Sequence, residues 1–113
     1  MAPPHTHDLQ KNSAEMILLA LLADRDRHGY ELAKLIETQS GNKLQFHVAS
    51  LYPILYRLER KELVEGKWVE RPGERRRRYY RLTAAGRKAL AAQRRNWREF
   101  VAALNLLTEF NNA

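Results

Sequence analysis

Residues 47–63, HVASLYPILYRLERKEL, constrain this chain more than any other stretch, because they read as an amphipathic helix standing directly before an arginine-rich turn. Leu51, Leu55 and Leu58, with Ile54 beside them, recur at i, i+4 and i+7, the spacing of one apolar stripe on a 3.6-residue period. At about 100° per residue, Ala49, Pro53, Tyr56 and Arg60 fall on the opposite side, flanked by Ser50, Tyr52 and Arg57. A face of small, hydroxyl, aromatic and guanidinium groups suits base edges and phosphate oxygens. An ordinary solvated helix face has much the same composition, so this segment alone does not decide. The next one does. Residues 64–82, VEGKWVERPGERRRRYYRL, read as two short strands around Pro72-Gly73, with Arg71, Arg75, Arg76, Arg77, Arg78 and Arg81 gathered near the turn. Helix, hairpin and basic tip in that order describe a mainly α domain with a small β-hairpin wing, a winged helix-turn-helix.

The charge points the same way. A formal net charge of +7, from 20 Lys and Arg against 13 Asp and Glu, draws the chain to polyanions whatever its fold. The distribution is uneven: residues 71–81 hold six arginines and one acid, Glu74, a net +5. Four consecutive arginines on a hairpin repel one another, and a bound anion relieves that repulsion. Double-stranded DNA fits best. An anionic membrane surface fits less well, since no amphipathic basic helix accompanies the run and no apolar stretch approaches the roughly 20 residues of a bilayer span. With no cysteine there is no disulfide framework, thiolate metal site or cysteine nucleophile, and MAPPHTHDLQ lacks the basic start and apolar stretch of a secretory signal. A cytoplasmic location is therefore expected.

A chain of 113 residues supports one compact domain. Residues 1–11, with two prolines and two histidines, are expected to be a flexible tail; His5, His7 and Asp8 supply too few ligands for a metal site, and no metal or other cofactor is expected. Asn12 and Glu15 have the N-cap and N3 spacing of a capping box before the apolar run 16–22, which predicts helix one over 13–23. His28-Gly29-Tyr30 opens helix two, over 29–39, with Gly41 as its stop; the backbone N–H groups at its start offer a seat for a DNA phosphate, so His28 and Tyr30 join the expected DNA-binding residues. The segment 47–63 is then the recognition helix, reached through residues 40–46. Pro53 leaves its start open: with Ser50 as N-cap it occupies N3 without cost, whereas a start near Val48 places it where it removes a backbone bond. In the wing, Trp68 is read as a packing residue on the sheet, and Arg75, Arg76, Arg77 and Arg78 as groups that reach flanking phosphates or a minor groove.

Thr83 caps a final helix expected to run from Ala84 to about Glu109. Leu90, Trp97 and Leu104 share one heptad position, and Gln93, Phe100 and Leu107 fall three residues later. Some 26 residues of helix span about 39 Å, whereas a body of this size is about 25–30 Å across. The far part must project, and exposed Phe100, Val101, Leu104 and Leu107 imply pairing with a second copy. The organisation expected is thus a tail over 1–11, a DNA-binding domain over 12–82 and a dimerisation helix over 83–110.

At these residues the chain resembles the PadR family of bacterial transcriptional regulators. The likeness rests on HGYEL at 28–32, ASLYPILYRLERKELV at 49–64 and RRRRYYRLTAAGRKAL at 75–90. The resemblance implies a homodimeric winged helix-turn-helix repressor of the shorter form, with a single C-terminal dimerisation helix. By position, Ser50, Leu51, Tyr52 and Pro53 match the family's recognition-helix motif, and His28, Gly29 and Tyr30 match the start of its helix two. It also implies that the recognition helix begins near Val48, and that a small aromatic effector, where one binds, stacks on the tryptophan of the last helix, here Trp97. Two positions depart from the pattern. Ala49 stands where the family usually has glycine, and Glu62 stands where a glycine commonly ends the recognition helix, so that helix is expected to run on or end less sharply.

Two functions compete: a sequence-specific repressor of a palindromic operator, and a winged-helix module that binds protein or RNA with general polyanion affinity. The ratio of operator to random-duplex affinity separates them. Enzymatic activity has no support, because no nucleophile, base and oxyanion donor fall together and the histidines at 5, 7, 28 and 47 lack metal spacing.

Overall fold

The computed structural model describes residues 6–111, with side chains described for 13–109. In chain order the elements are α1 (Thr6–Leu21), β1 (Arg27–His28), α2 (Gly29–Gln39), α3 (Val48–Arg60), β2 (Val64–Val69), β3 (Arg77–Leu82) and α4 (Ala84–Asn111). The three strands form one antiparallel sheet in the order β1-β3-β2. This is the expected mainly α winged helix-turn-helix with a long last helix.

Its interior is one apolar cluster. Leu18, Leu19 and Leu22 from α1 and the loop after it, Leu32 and Ile36 from α2, and Leu51, Leu55 and Leu58 from α3 close over Val64, Tyr80 and Leu82 of the sheet. Arg27 is only 7% exposed, yet every side of its guanidinium is used: Nε donates to the Leu21 carbonyl at 2.7 Å, and the terminal nitrogens meet Asp24 and Glu31. The Arg27 bond also holds the exposed Asp24 carboxyl below the usual carboxylate range.

Three features differ from the sequence expectation, and the start of α3, which the residues alone left open, falls at Val48 as the family resemblance implies. Helix α1 begins at Thr6, not at Ser13, because HTHDLQKN contains no proline or glycine and nothing after Pro4 stops a helix. Asn12 is therefore interior to the helix, which takes in residues 6–11 of the expected tail; residues 1–5 lie outside the described residues, as do the side chains of His7 and Asp8. Strand β1 was not expected at all: it is two residues long, and only pairing with β3, Arg27 to Tyr80 and His28 to Tyr79, makes it a strand. Helix α3 begins at Val48 with His47 as N-cap, so Pro53 sits inside it and cannot donate to the carbonyl of Ala49, which is on the exposed side. Finally, α3 ends sharply despite Glu62. That residue takes the left-handed conformation (φ 60°), with Glu62 N–H donating to the Glu59 carbonyl and Leu63 N–H to the Leu58 carbonyl, both at 2.9 Å. This is the cap that glycine usually supplies, formed here at a steric cost.

The other stops are local. At the end of α2, Gly41 (φ 65°) leads Asn42 N–H back to the Glu37 carbonyl at 2.8 Å. Thr83 Oγ1 accepts from Gly86 N–H at 3.0 Å and donates to the Glu62 carbonyl at 2.7 Å, which starts α4 and ties it to the end of α3. Gly86 is indispensable to that junction. A Cβ there would stand 2.1 Å from the Leu63 carbonyl oxygen and 2.5 Å from Leu82 Cδ1.

Helix α4 has 28 residues, about 42 Å of helix, against a molecule whose extents are 61 × 29 × 27 Å. Its far half leaves the body. Among the described residues no helix is long and apolar enough to cross a membrane.

Candidate nucleic-acid interface

The apolar stripe of α3 does what its spacing predicts, burying Leu51, Ile54, Leu55 and Leu58 and leaving Ala49, Ser50, Pro53 and Tyr56 exposed. The exposed face splits into two neighbourhoods. Toward the wing, a cleft of about 480 Å³ gathers Tyr52 and Tyr56 from α3, His28 and Tyr30 from the start of α2, and Arg75, Arg76, Arg77 and Arg78 from the wing. Eight of the residues expected to meet DNA thus line one surface, although they come from segments up to 50 positions apart. On the other side, Ser50 and Pro53 line a groove with Lys43, Leu44, Gln45, Phe46 and His47, the loop between α2 and α3.

Arg57 is not among the free cations of that face. Its Nε donates to Glu15 Oε1 on α1 at 2.9 Å, and Lys61 Nζ lies 3.7 Å from the same oxygen. The helical wheel placed Arg57 correctly at the margin, but a partner 42 residues away in sequence draws it toward α1.

Tyr52 joins α3 to α2. It is half-buried, and its ring and hydroxyl fill the space beside Gly29, where an added Cβ would come within 3.1 Å of the ring. His28 is the N-cap of α2: its Nδ1 accepts from Glu31 N–H at 3.3 Å, and its ring stands edge-on to Tyr79 at 5.2 Å. Burial, helped by the positive charge of Arg77, lowers its pKa below 6.5, so the imidazole is neutral and able to accept near pH 7. The expected phosphate seat at this helix start is therefore partly occupied by the protein's own cap, with Tyr30 left exposed beside it.

The wing holds its charge in an unexpected way. Arg71 lies over Tyr79, Arg76 over Trp68, Arg77 over Tyr30, and Arg78 between Trp68 and Tyr80, with guanidinium-to-ring distances of 4.7–5.9 Å. Ring faces carry partial negative charge and so offset part of the repulsion among neighbouring arginines. Arg78 also donates from Nη2 to Glu59 Oε2 at 2.7 Å, which fastens β3 to α3. Trp68 was expected to pack on the sheet; instead it is 52% exposed. The inner sheet face is buried at Val64 and half-buried at Gly66, and Trp68 lies beyond that cover. Tyr80, under the cleft, is fully buried with no partner for its hydroxyl among the described residues, and burial raises its pKa.

Among residues expected at a dimer seam, Leu90 is 3% exposed within the chain's own core and so is no part of an exposed seam; the first turns of α4 lie against the body. Past it the exposure rises: Trp97 is 46%, Phe100 52%, Leu104 43%, Leu106 72% and Leu107 66% exposed, with Val101 half-buried. Trp97 and Phe100 pack together at 5.8 Å and line a groove of about 420 Å³ with Ser13, Glu15 and Met16 of α1 and Gln93 and Asn96 of α4. Period alone could not separate Leu90 from the residues one and two heptads on, because all three share the same face. Glu59 carries no pattern that marks it, while Glu15 reads in the sequence only as part of a capping box and Trp68 only as a packing residue.

Residues 18–92 match the transcriptional regulator PadR-like family. A protein of Lysinibacillus sphaericus named uncharacterized protein X is 31% identical over 102 residues, covering 90% of this chain and 94% of that one. Among solved structures, a transcriptional regulator from Clostridium thermocellum superposes with a TM-score of 0.79 at 28% identity, covering 87% of this chain and 95% of that chain. A PadR family transcription regulator from Clostridium difficile R20291 superposes with a TM-score of 0.73 at 25% identity, covering 84% and 97% respectively.

Proposed function

This chain belongs to the PadR-like family of transcriptional regulators, and from that premise we propose that it represses transcription as a homodimer bound to a palindromic operator. Family membership carries DNA-binding regulation, and no enzymatic role goes with it. One observation carries the finer reading: the cleft between α3 and the wing, which joins four arginines to Tyr52, Tyr56, Tyr30 and His28 on one surface. In this reading the exposed tyrosine and small residues of α3 read base edges, and the wing arginines meet phosphates or enter the minor groove. Two copies joined through Trp97, Phe100, Val101, Leu104 and Leu107 would present two such surfaces to half-sites about one turn of duplex apart. A small aromatic effector that releases the dimer would stack at Trp97 and act by changing that separation.

Binding of the purified protein to its own promoter region and to random duplex of equal length, at two salt concentrations, tests this. A preference for the promoter that persists at the higher salt is expected; equal binding that collapses with salt would leave only polyanion affinity and favour the interaction module. Tyr56→Ala separates the roles better than a change at Tyr52, since Tyr56 is exposed whereas Tyr52 packs on Gly29. Tyr56→Ala should lower the preference, and Arg75→Ala should weaken both duplexes alike and reduce the salt slope by about one.

A further inference from the structure

We propose that Trp68 belongs to the DNA-binding surface as a positioning residue, holding Arg76 toward the cleft between α3 and the wing before DNA arrives. The proposal rests on the DNA-binding reading above and adds a residue and a role to it.

Both guanidinium groups lie on the same indole, Arg76 at 4.7 Å and Arg78 at 5.6 Å from the ring centre. They are not held alike. Arg78 is fixed independently: it stands directly across from Trp68 in the β2–β3 register, donates to Glu59, and lies so close to Gly66 that a Cβ there would approach its Nε to 2.5 Å. Arg76 lies in the connection before β3, and its ion pair is a 3.7 Å contact with Glu70 in which both side chains are mostly exposed. A surface pair of that kind contributes little and is screened by salt. What orders Arg76 is therefore the indole face.

The consequence for binding is entropic. A free arginine gives up much of its rotamer freedom when a phosphate captures it, whereas one already laid on a ring gives up less. A stacked guanidinium also keeps its edge N–H groups free, and these are the groups that bridge phosphate oxygens. Trp68 itself is half exposed and shares the cleft with Tyr56 and Tyr30, so a strand that reaches Arg76 passes over it. Arg75 supplies an internal control, since it carries the same charge on the same wing with no ring or ion-pair partner among the described residues.

The experiment is a pair of double-mutant cycles, read by anisotropy of a labelled random-sequence duplex of roughly 30 base pairs, long enough for the charge-driven term to dominate. Trp68→Ala should weaken binding roughly 5- to 10-fold, and Trp68→Phe, which keeps a ring, should stay within about 3-fold of the parent. Adding Arg76→Ala to Trp68→Ala should weaken binding hardly further than Arg76→Ala alone, whereas adding Arg75→Ala should multiply the two losses. Trp68→Leu separates ring from bulk, because it keeps apolar volume without a π face and should bind like Trp68→Ala. The proposal falls if Trp68→Ala binds like the parent, if Trp68→Leu binds like Trp68→Phe, or if the Arg76 and Arg75 cycles are equally multiplicative. A parent protein that binds no duplex even at low salt would remove the DNA-binding reading and this proposal with it; neutral Trp68 variants of a binding parent would remove this proposal alone.

Discussion

The body of the domain and the far half of α4 treat the same kinds of residue in opposite ways. Leu90 sits in the core at 3% exposure, while Leu107, farther along the same helix, is 66% exposed. The difference is one of support. Where α4 starts, Thr83 is bonded to Glu62 and Gly86 is pressed against the Leu63 carbonyl, so the helix has no choice of position. Past Trp97 the body ends and the chain continues as helix with an apolar face. A leucine's energy is thus decided by what stands opposite it, and among the described residues Leu106 and Leu107 on the far half of α4 are left mostly uncovered.

The largest test of this contrast is Gly86→Ala. Its methyl group would meet a backbone oxygen that cannot rotate away, so a loss of about 3 kcal/mol or more in urea unfolding is expected, and a loss under about 1 kcal/mol would show that the junction can give. Leu90→Ala should cost about 2–3 kcal/mol by the same measurement, at any protein concentration. Leu104→Glu addresses the other half. It should leave the folded body intact but shift sedimentation to the monomer and weaken promoter binding at least about tenfold, roughly 1.4 kcal/mol. A stable dimer surviving that charge would sink the proposed seam.

Smaller effects sharpen the picture of the body. Glu62→Gly should stabilise it by about 1 kcal/mol, because Glu62 holds a left-handed conformation that glycine adopts without strain. The smallest change expected is with pH. His28 is held neutral in the fold below its ordinary 6.5, while in the unfolded chain it takes up a proton near that value. Its contribution is therefore complete above about 6.5 and is lost as pH falls through the lowered folded value. A lower melting temperature at pH 5.5 than at pH 7.5 is expected, with part of the difference absent in His28→Asn, which keeps a capping acceptor but does not titrate.

The arginines repeat the lesson on a smaller scale. Arg27 is enclosed by a carbonyl and two carboxylates, and so is spent on structure. Arg76 and Arg77 lie on rings, which hold a guanidinium without satisfying its N–H groups. Composition counts these side chains alike. Only their neighbours tell them apart.

Features set by a few adjacent residues were legible in the chain: the stripe of α3, the stop at Gly41, the cap at Thr83 and the turn at Pro72-Gly73 all depend on backbone geometry or on periodicity within one element. So was the charge of the wing. What escaped depended on a distant partner. Strand β1 exists only because Tyr79 and Tyr80 pair with it, Arg57 is claimed by Glu15, and Leu90 is buried by a body whose extent along α4 no period reveals. Trp68 read as a packing residue because strands bury alternate side chains, and that rule does not say where the covering helix stops.

By itself, then, the sequence determined the order of the helices and the wing hairpin, the apolar faces and the concentration of positive charge near one turn, since each is a local property of backbone preference, spacing or count. The tertiary structure alone decided which cations remain available to a ligand, which tryptophan lies beside them, and where the last helix leaves its support. Those depend on contacts between residues far apart in the chain, and a contact has no signature in either partner taken alone.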